Sequence, residues 1–187
     1  MIMETATKTF EEVKAFILQK GEDLDWCEGQ AERTDQSQNM EDLINIIKDN
    51  ISWISYRVEG LADILEGLFG KELLFSNNIY TSGHHNIEIN SPTYLITLGS
   101  SSATVKTLGS SSAMVETWDS SSATVKTLDS SSATVKTLGS SSATVETLGS
   151  SSKLTYSLGD GQCPSIKHLT EKKLFVKTSD FEIVQVQ

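Results

Sequence analysis

Close copies of LGSSSATVKT follow one another from Leu98, and their spacing does not slip through Leu148. Alanine stands at 103, 113, 123, 133 and 143, and valine at 105, 115, 125, 135 and 145. Leucine stands at 108, 128, 138 and 148, with Trp118 taking the remaining turn. A helix is a poor host for this unit: Ser, Thr and Val are mediocre helix formers, and a ten-residue period drifts around a helix of 3.6 residues per turn. Ten is an even number, so an extended chain returns each residue type to the same face. The expected architecture is a parallel β-solenoid in which each ten-residue unit is one coil and like residues stack about 4.8 Å apart. Val115 then lies between Val105 and Val125. Ala, Val and Leu form thin apolar ladders, while Gly or Asp and the serines make the bends.

Charges in the array support stacking. Lys106, Glu116, Lys126, Lys136 and Glu146 share one slot, and successive members are opposite in sign except for Lys126 and Lys136. Such cross-strand pairs contribute roughly 0.2–1 kcal/mol each. Asp119 above Asp129 runs against this pattern. Two alternatives stay open: an antiparallel β-meander with GSSS as a four-residue hairpin loop, or a disordered low-complexity tract, against which the fixed Val and Leu slots argue. A lone coil gains about 1.5–3 kcal/mol from each buried Val or Leu. Ordering ten backbones costs on the order of 10–20 kcal/mol, so several coils are required, with caps over the open edges.

The array has degenerate ends. INSPTYLITL sets Thr93, Leu95 and Leu98 in the slots of Ala103, Val105 and Leu108. The copy from Gly149 puts Lys153 in the alanine slot, so regular repeats are expected over about residues 89–158. The tail KLFVKTSDFEIVQVQ holds two alternating runs that read as a strand pair.

Upstream the periodicity is helical. Thr9 and Glu12 form a capping box, followed by Phe10, Val13, Phe16 and Ile17, with Gly21 as a stop. A second helix is expected over roughly residues 22–35, with Leu24, Cys27 and Ala31 on one side. Asn39 and Asp42 start a third with the stripe Met40, Leu43, Ile47, Ile51 and Ile54. A fourth runs through Leu61, Ile64, Leu65 and Leu68 towards Gly70. The whole is α+β: a small helical domain over residues 1–76, then a short capped β-solenoid over residues 77–187.

The run SSATVKTLDSSSATVKT resembles bacterial decapeptide-repeat proteins, often borne on phages or mobile elements, whose units are of the DSATVxAY kind after a short helical N-terminus. The resemblance covers residues 90–158. It implies a repeat architecture and carries over no catalytic residue. Leucine stands where that family commonly has an aromatic, except at Trp118.

The net charge of -10 is unevenly placed. Residues 1–88 hold 17 acids and 7 bases, whereas the remainder is balanced. A partner selected by charge is therefore a basic protein that meets the N-terminal region, and direct nucleic-acid binding is not expected. Glu22, Asp25, Glu28, Glu32 and Asp35 recur at three- or four-residue spacing, which on one helix makes an acidic stripe for such a partner. The alternative for these residues is a solvated face.

His84-His85 invites a metal reading with His168 or Cys163, but adjacent strand residues point to opposite faces, and no CxxC or HxxxH spacing occurs. No serine lies in GxSxG, and LGDGQ reads as a turn. No catalytic residue, metal or cofactor is expected. Neither a leader of the secretory kind nor a run of eighteen apolar residues is seen, which gives the expectation of a cytoplasmic protein that does not enter a membrane. The function expected is that of a non-enzymatic binding or scaffold protein. The alternatives are an ice-binding or adhesive solenoid, suggested by Thr104 and its equivalents, and an enzyme with a site of unfamiliar type.

Overall fold

In the β region each decapeptide forms a six-residue strand, such as Ser102–Thr107, followed by a four-residue corner. The corner turns because its Gly or Asp slot takes a left-handed backbone: φ is 59° at Gly99, 64° at Gly109, 59° at Asp119, 57° at Asp129 and 70° at Gly139. Gly pays no steric penalty there, and Asp is among the few other residues that tolerate it. Gly109→Asn should therefore change stability by no more than about 0.5 kcal/mol, because an added Cβ there meets nothing within 4 Å. Gly109→Val, β-branched at positive φ, should lose about 1–2 kcal/mol. Urea midpoints of the two variants provide the comparison.

The structure, a computed structural model, describes residues 8–148, 153–158, 165–168, 174–177 and 183–186. The chain divides into two units, Met1–Asn77 and Asn78–Gln187. The second is a parallel β-solenoid built from two facing sheets. One has the order β1-β3-β5-β7-β9-β11-β12 and the other β10-β8-β6-β4-β2. The strands are β1 (Ile79–Tyr80), β2 (His84–Ile89), β3 (Thr93–Thr97), β4 (Ser102–Thr107), β5 (Ser112–Thr117) and β6 (Ser122–Thr127). They continue as β7 (Ser132–Thr137), β8 (Ser142–Thr147), β9 (Lys153–Leu158), β10 (Ser165–His168), β11 (Leu174–Lys177) and β12 (Ile183–Val186).

Register overturns the ten-residue coil. Val105 pairs with Val125, and Val115 with Leu95 and Val135, so a coil is twenty residues and two decapeptides. The reason is closure. A six-residue strand runs about 20 Å in one direction, and only a second strand on the far side of the interior brings the chain back above its start. The expected charge ladder changes accordingly. Glu116 faces Lys136 and Lys126 faces Glu146, while Lys106 lies between Glu88 and Lys126. Asp119 and Asp129 occupy opposite edges, where Asp119 Oδ2 accepts from the Gly99 amide at 3.2 Å and Asp129 Oδ2 from the Gly109 amide at 3.3 Å. The ladders of the array are parallel, which removes the meander; among the described residues β11 and β12 alone pair antiparallel, as the tail's two alternating runs suggest.

Lys153 does not occupy the alanine slot. Leu154 stands opposite Ala133 and Tyr156 opposite Val135, a step of twenty-one, and parallel pairing continues through β10 and β11. Within each regular strand Ala and Val face inwards: Val105, Val115, Val125, Val135 and Val145 are fully buried. Thr107, Thr117, Thr127 and Thr137 face the same way.

The middle serine of each triplet is the corner's internal clasp. Ser131 Oγ lies 2.6 Å from the Leu128 carbonyl and 3.1 Å from that of Thr107, and it accepts from the Leu128 amide at 3.0 Å. Ser121 and Ser141 repeat this arrangement on the other edge.

Among the described residues the first unit has six helices: α1 (Phe10–Asp23), α2 (Glu28–Asp35), α3 (Met40–Asp49), α4 (Ile51–Ser55), α5 (Leu61–Phe69) and α6 (Lys71–Ser76). The Thr9–Glu12 capping box is present, and the donors of Thr9 hold the Glu12 carboxyl below its ordinary pKa. Asn39 caps α3 by accepting from the Asp42 amide at 2.9 Å. Leu43, Ile47, Ile51 and Ile54 are buried as their stripe requires, although the helix breaks at Asn50.

Gly21 is not a stop but a buried residue within α1. A Cβ there would meet Trp26 Cε3 at 2.1 Å, so the missing side chain is what lets the indole pack on the helix. Trp26 in turn stacks on Trp53 with ring centroids 6.3 Å apart. The expected helix over residues 22–35 is consequently interrupted. The Trp26 amide donates to the Gly21 carbonyl at 2.8 Å, Asp25 adopts φ 57°, and α2 begins only at Glu28. Cys27, expected on the apolar side, is exposed.

Candidate functional site

All five acidic residues singled out from the sequence are exposed, but they do not form one helical stripe. Glu22 lies in the last turn of α1 and Asp25 in the left-handed turn after it. Only Glu28, Glu32 and Asp35 share a helix, and their spacing of four and three places them along one face of α2. The correction follows from Trp26, whose return onto Gly21 folds the chain where a continuous helix would have carried Glu22 and Asp25 into line.

Asp35 pairs with Lys14 at 3.5 Å, and that ammonium also donates to the Asp35 carbonyl. Glu32 accepts from Gln36 Nε2 at 3.0 Å. Among the described residues neither Glu28 nor Glu32 forms a salt bridge, so their charge is directed to solvent. Arg33, on the same helix, is drawn to Asp49 at 2.6 Å. Glu28 and Glu32 on this face of α2 can attract a cationic surface.

The histidine pair diverges as alternation requires. His84 Nδ1 lies 2.8 Å from Ser102 Oγ, while His85 Nε2 lies 2.8 Å from the Ser82 carbonyl and its ring sits 4.4 Å from that of Tyr80. Burial pushes the Tyr80 phenol up, and burial lowers the Lys48 ammonium, whose Nζ donates to the Asn77 carbonyl at 3.0 Å. Among the described residues no three His, Cys, Asp or Glu side chains converge as a metal-binding group. Cys163 and residues 159–162 of the LGDGQ turn lie outside the described residues, as does the side chain of His168. No helix among the described residues is long and apolar enough to cross a membrane.

The outward faces of the two sheets differ. The five-stranded sheet presents a column of Thr104, Thr124 and Thr144 beside Lys106, Lys126 and Glu146. On the seven-stranded sheet the equivalent column reads Tyr94, Met114 and Thr134. Met114 is 45% exposed, and with Pro92, Tyr94, Ser112, Ser132 and Thr134 it borders a shallow depression of about 470 Å³. Two residues along from Met114, Glu116 is buried: Trp118 Nε1 donates to its Oε2 at 3.1 Å, and Lys136 Nζ lies 3.8 Å from it and 5.2 Å from the indole centroid.

Reading the sequence for charge missed this patch. Its signal was available in the internal alignment, because Met114, Glu116 and Trp118 all depart from the Thr, Lys and Leu of the copies on either side. Comparison of the chain with protein-family models, with curated proteins and with solved structures finds no match.

Proposed function

We propose that the chain is a non-enzymatic binding protein in which the solenoid serves as a rigid scaffold and the acidic helical unit engages a basic protein partner. The observation that carries this reading is the concentration of charge: residues through Asn77 hold 16 acids and 7 bases, and Glu28 and Glu32 stand exposed on one face of α2. Complementary charge of this kind raises association rate and excludes wrong partners. The partner class we infer is a host nucleic-acid-handling or defence protein, whose basic surface an acidic α2 face would occupy. The resemblance of the repeats to phage-borne proteins supports that class, and a cytoplasmic setting accords with it.

A second reading places the contact on the solenoid, at the exposed Met114 beside Tyr94. One pair of variants separates the two. Glu28→Lys with Glu32→Lys should weaken a captured partner by tenfold or more, a change of about 1.4 kcal/mol or greater, and wild-type binding should fall as salt rises. Met114→Thr restores the residue that the array itself uses, so it leaves the fold intact and should leave that partner bound. Retained binding in the charge-reversed protein together with loss in Met114→Thr would move the contact to the solenoid.

A further inference from the structure

One ten-residue sequence occurs twice in succession: residues 119–128 and residues 129–138 both read DSSSATVKTL. The two copies lie on opposite sides of the solenoid interior. The first supplies β6 to the five-stranded sheet, and the second supplies β7 to the seven-stranded sheet. Their conformations nonetheless agree. Asp119 has φ 59° and Asp129 φ 57°, and both strands bury alternate residues in the same pattern. Thr107 Oγ1 lies 2.8 Å from Ser131 Oγ at one edge, and Thr117 Oγ1 lies 3.0 Å from Ser141 Oγ at the other. The two sides are therefore interchangeable environments for a decapeptide. They are related by a half-turn about the solenoid axis and a rise of about 2.4 Å, half the strand spacing.

We propose that the array is a spacer adjustable by copy number. One added decapeptide is accepted without loss of the fold and turns the strands after it to the opposite sheet. Two added copies return those strands to their own sheet, about 4.8 Å further along the axis. A third DSSSATVKTL placed between Leu128 and Asp129 shows why the fold accepts it. The new copy lies over β5 and offers Met114 and Glu116 the same threonine and lysine that β7 offers them now. β8 then lies over the new copy, whose residues match its present neighbour β6, and β9 stays over β7. The new like-charge neighbours are Lys136 beside Lys126 on the strands and Asp129 beside Asp119 at the corner. The native ladder already stacks Lys126 on Lys106. What changes is the outer face: Thr144 and Glu146 leave the column of Thr124 and Lys126 for the sheet that displays Tyr94 and the exposed Met114. The use of this turn in spacing a partner rests on the scaffold reading; the turn itself does not.

The test compares the whole chain in its native form, with one added copy and with two, each with Cys27 and Cys163 replaced by serine. Thr124→Cys with Thr134→Cys places the thiols on opposite faces of the native array. One added copy makes positions 124 and 134 direct ladder partners, within the Cα range that a disulfide spans. Two added copies part them again. Non-reducing electrophoresis after mild oxidation should therefore show this bond in the single-insertion chain and in neither of the others. Thr104→Cys with Thr124→Cys, upstream of the insertion, should cross-link in all three. Loss of the upstream bond in the single-insertion chain would mean that the two edges are not equivalent and that the added copy is refused. An upstream bond without the one between positions 124 and 134, or that second bond in the native or double-insertion chain, would remove the half-turn. Each of these results overturns the proposal and needs no partner, so it is separable from a failure of the charge-reversed α2 to release one.

Discussion

Cysteines introduced together at Thr104 and Thr124, with Cys27 and Cys163 replaced by serine, are expected to form a disulfide nearly quantitatively under mild oxidation. Cysteines at Thr104 and Met114 should remain thiols. Thr104 and Thr124 are direct partners in one parallel ladder, and neighbouring strands lie about 4.8 Å apart. That separation falls within the Cα range of roughly 4.4–6.8 Å that a disulfide spans. Met114 instead belongs to the other sheet, paired with Tyr94 and Thr134. Facing sheets are about 10 Å apart, and the two side chains point outwards in opposite directions. A coil of ten residues requires the reverse outcome, so non-reducing electrophoresis of the two variants discriminates between the coil lengths in an all-or-none manner.

Loss of the middle serine should be the most damaging conservative change in the array. Ser131→Ala is expected to destabilise by about 1 kcal/mol, because it removes the hydrogen bonds of a buried hydroxyl, while the Leu128 amide keeps the Thr107 carbonyl at 3.0 Å and the Leu128 carbonyl keeps the Ser131 amide at 3.1 Å. Ser131 is fully buried; its hydroxyl meets the Leu128 amide, the Leu128 and Thr107 carbonyls, and Thr107 Oγ1 at 2.8 Å. Ser130→Ala, one residue earlier and exposed, should change stability by no more than about 0.5 kcal/mol. Urea unfolding followed by circular dichroism measures both. Equal effects at the two positions would mean that the triplet is a generic polar turn and not a hydrogen-bonded clasp.

The triplet also marks a limit of reading composition. Three adjacent serines look equivalent in the sequence, and all three suit a bend. Alternation makes them different: Ser131 follows the inward parity of Ala133 and Val135, whereas Ser132 lies on the outward one. That distinction was within reach of the period-two pattern. The accepting carbonyl, which belongs to Thr107 twenty-four residues upstream, was not. The acidic residues show the same division. Their exposure follows from their chemistry, but their expected alignment depended on a helix continuing past Leu24, and the local turn at Asp25, in which the Trp26 amide returns to the Gly21 carbonyl and the indole packs on Gly21, stops it.

What the sequence by itself determined is local: extended six-residue strands, Ala and Val turned inwards, and a left-handed corner reserved for Gly or Asp. These follow from backbone sterics and from a period-two alternation that acts within each unit. Which copies become neighbours was decided only by the tertiary structure. Near-identical units make a step of ten and a step of twenty equally good in sequence, since each sets valine over valine. The choice falls to closure, because one strand crosses the interior and only two return the chain to its starting edge.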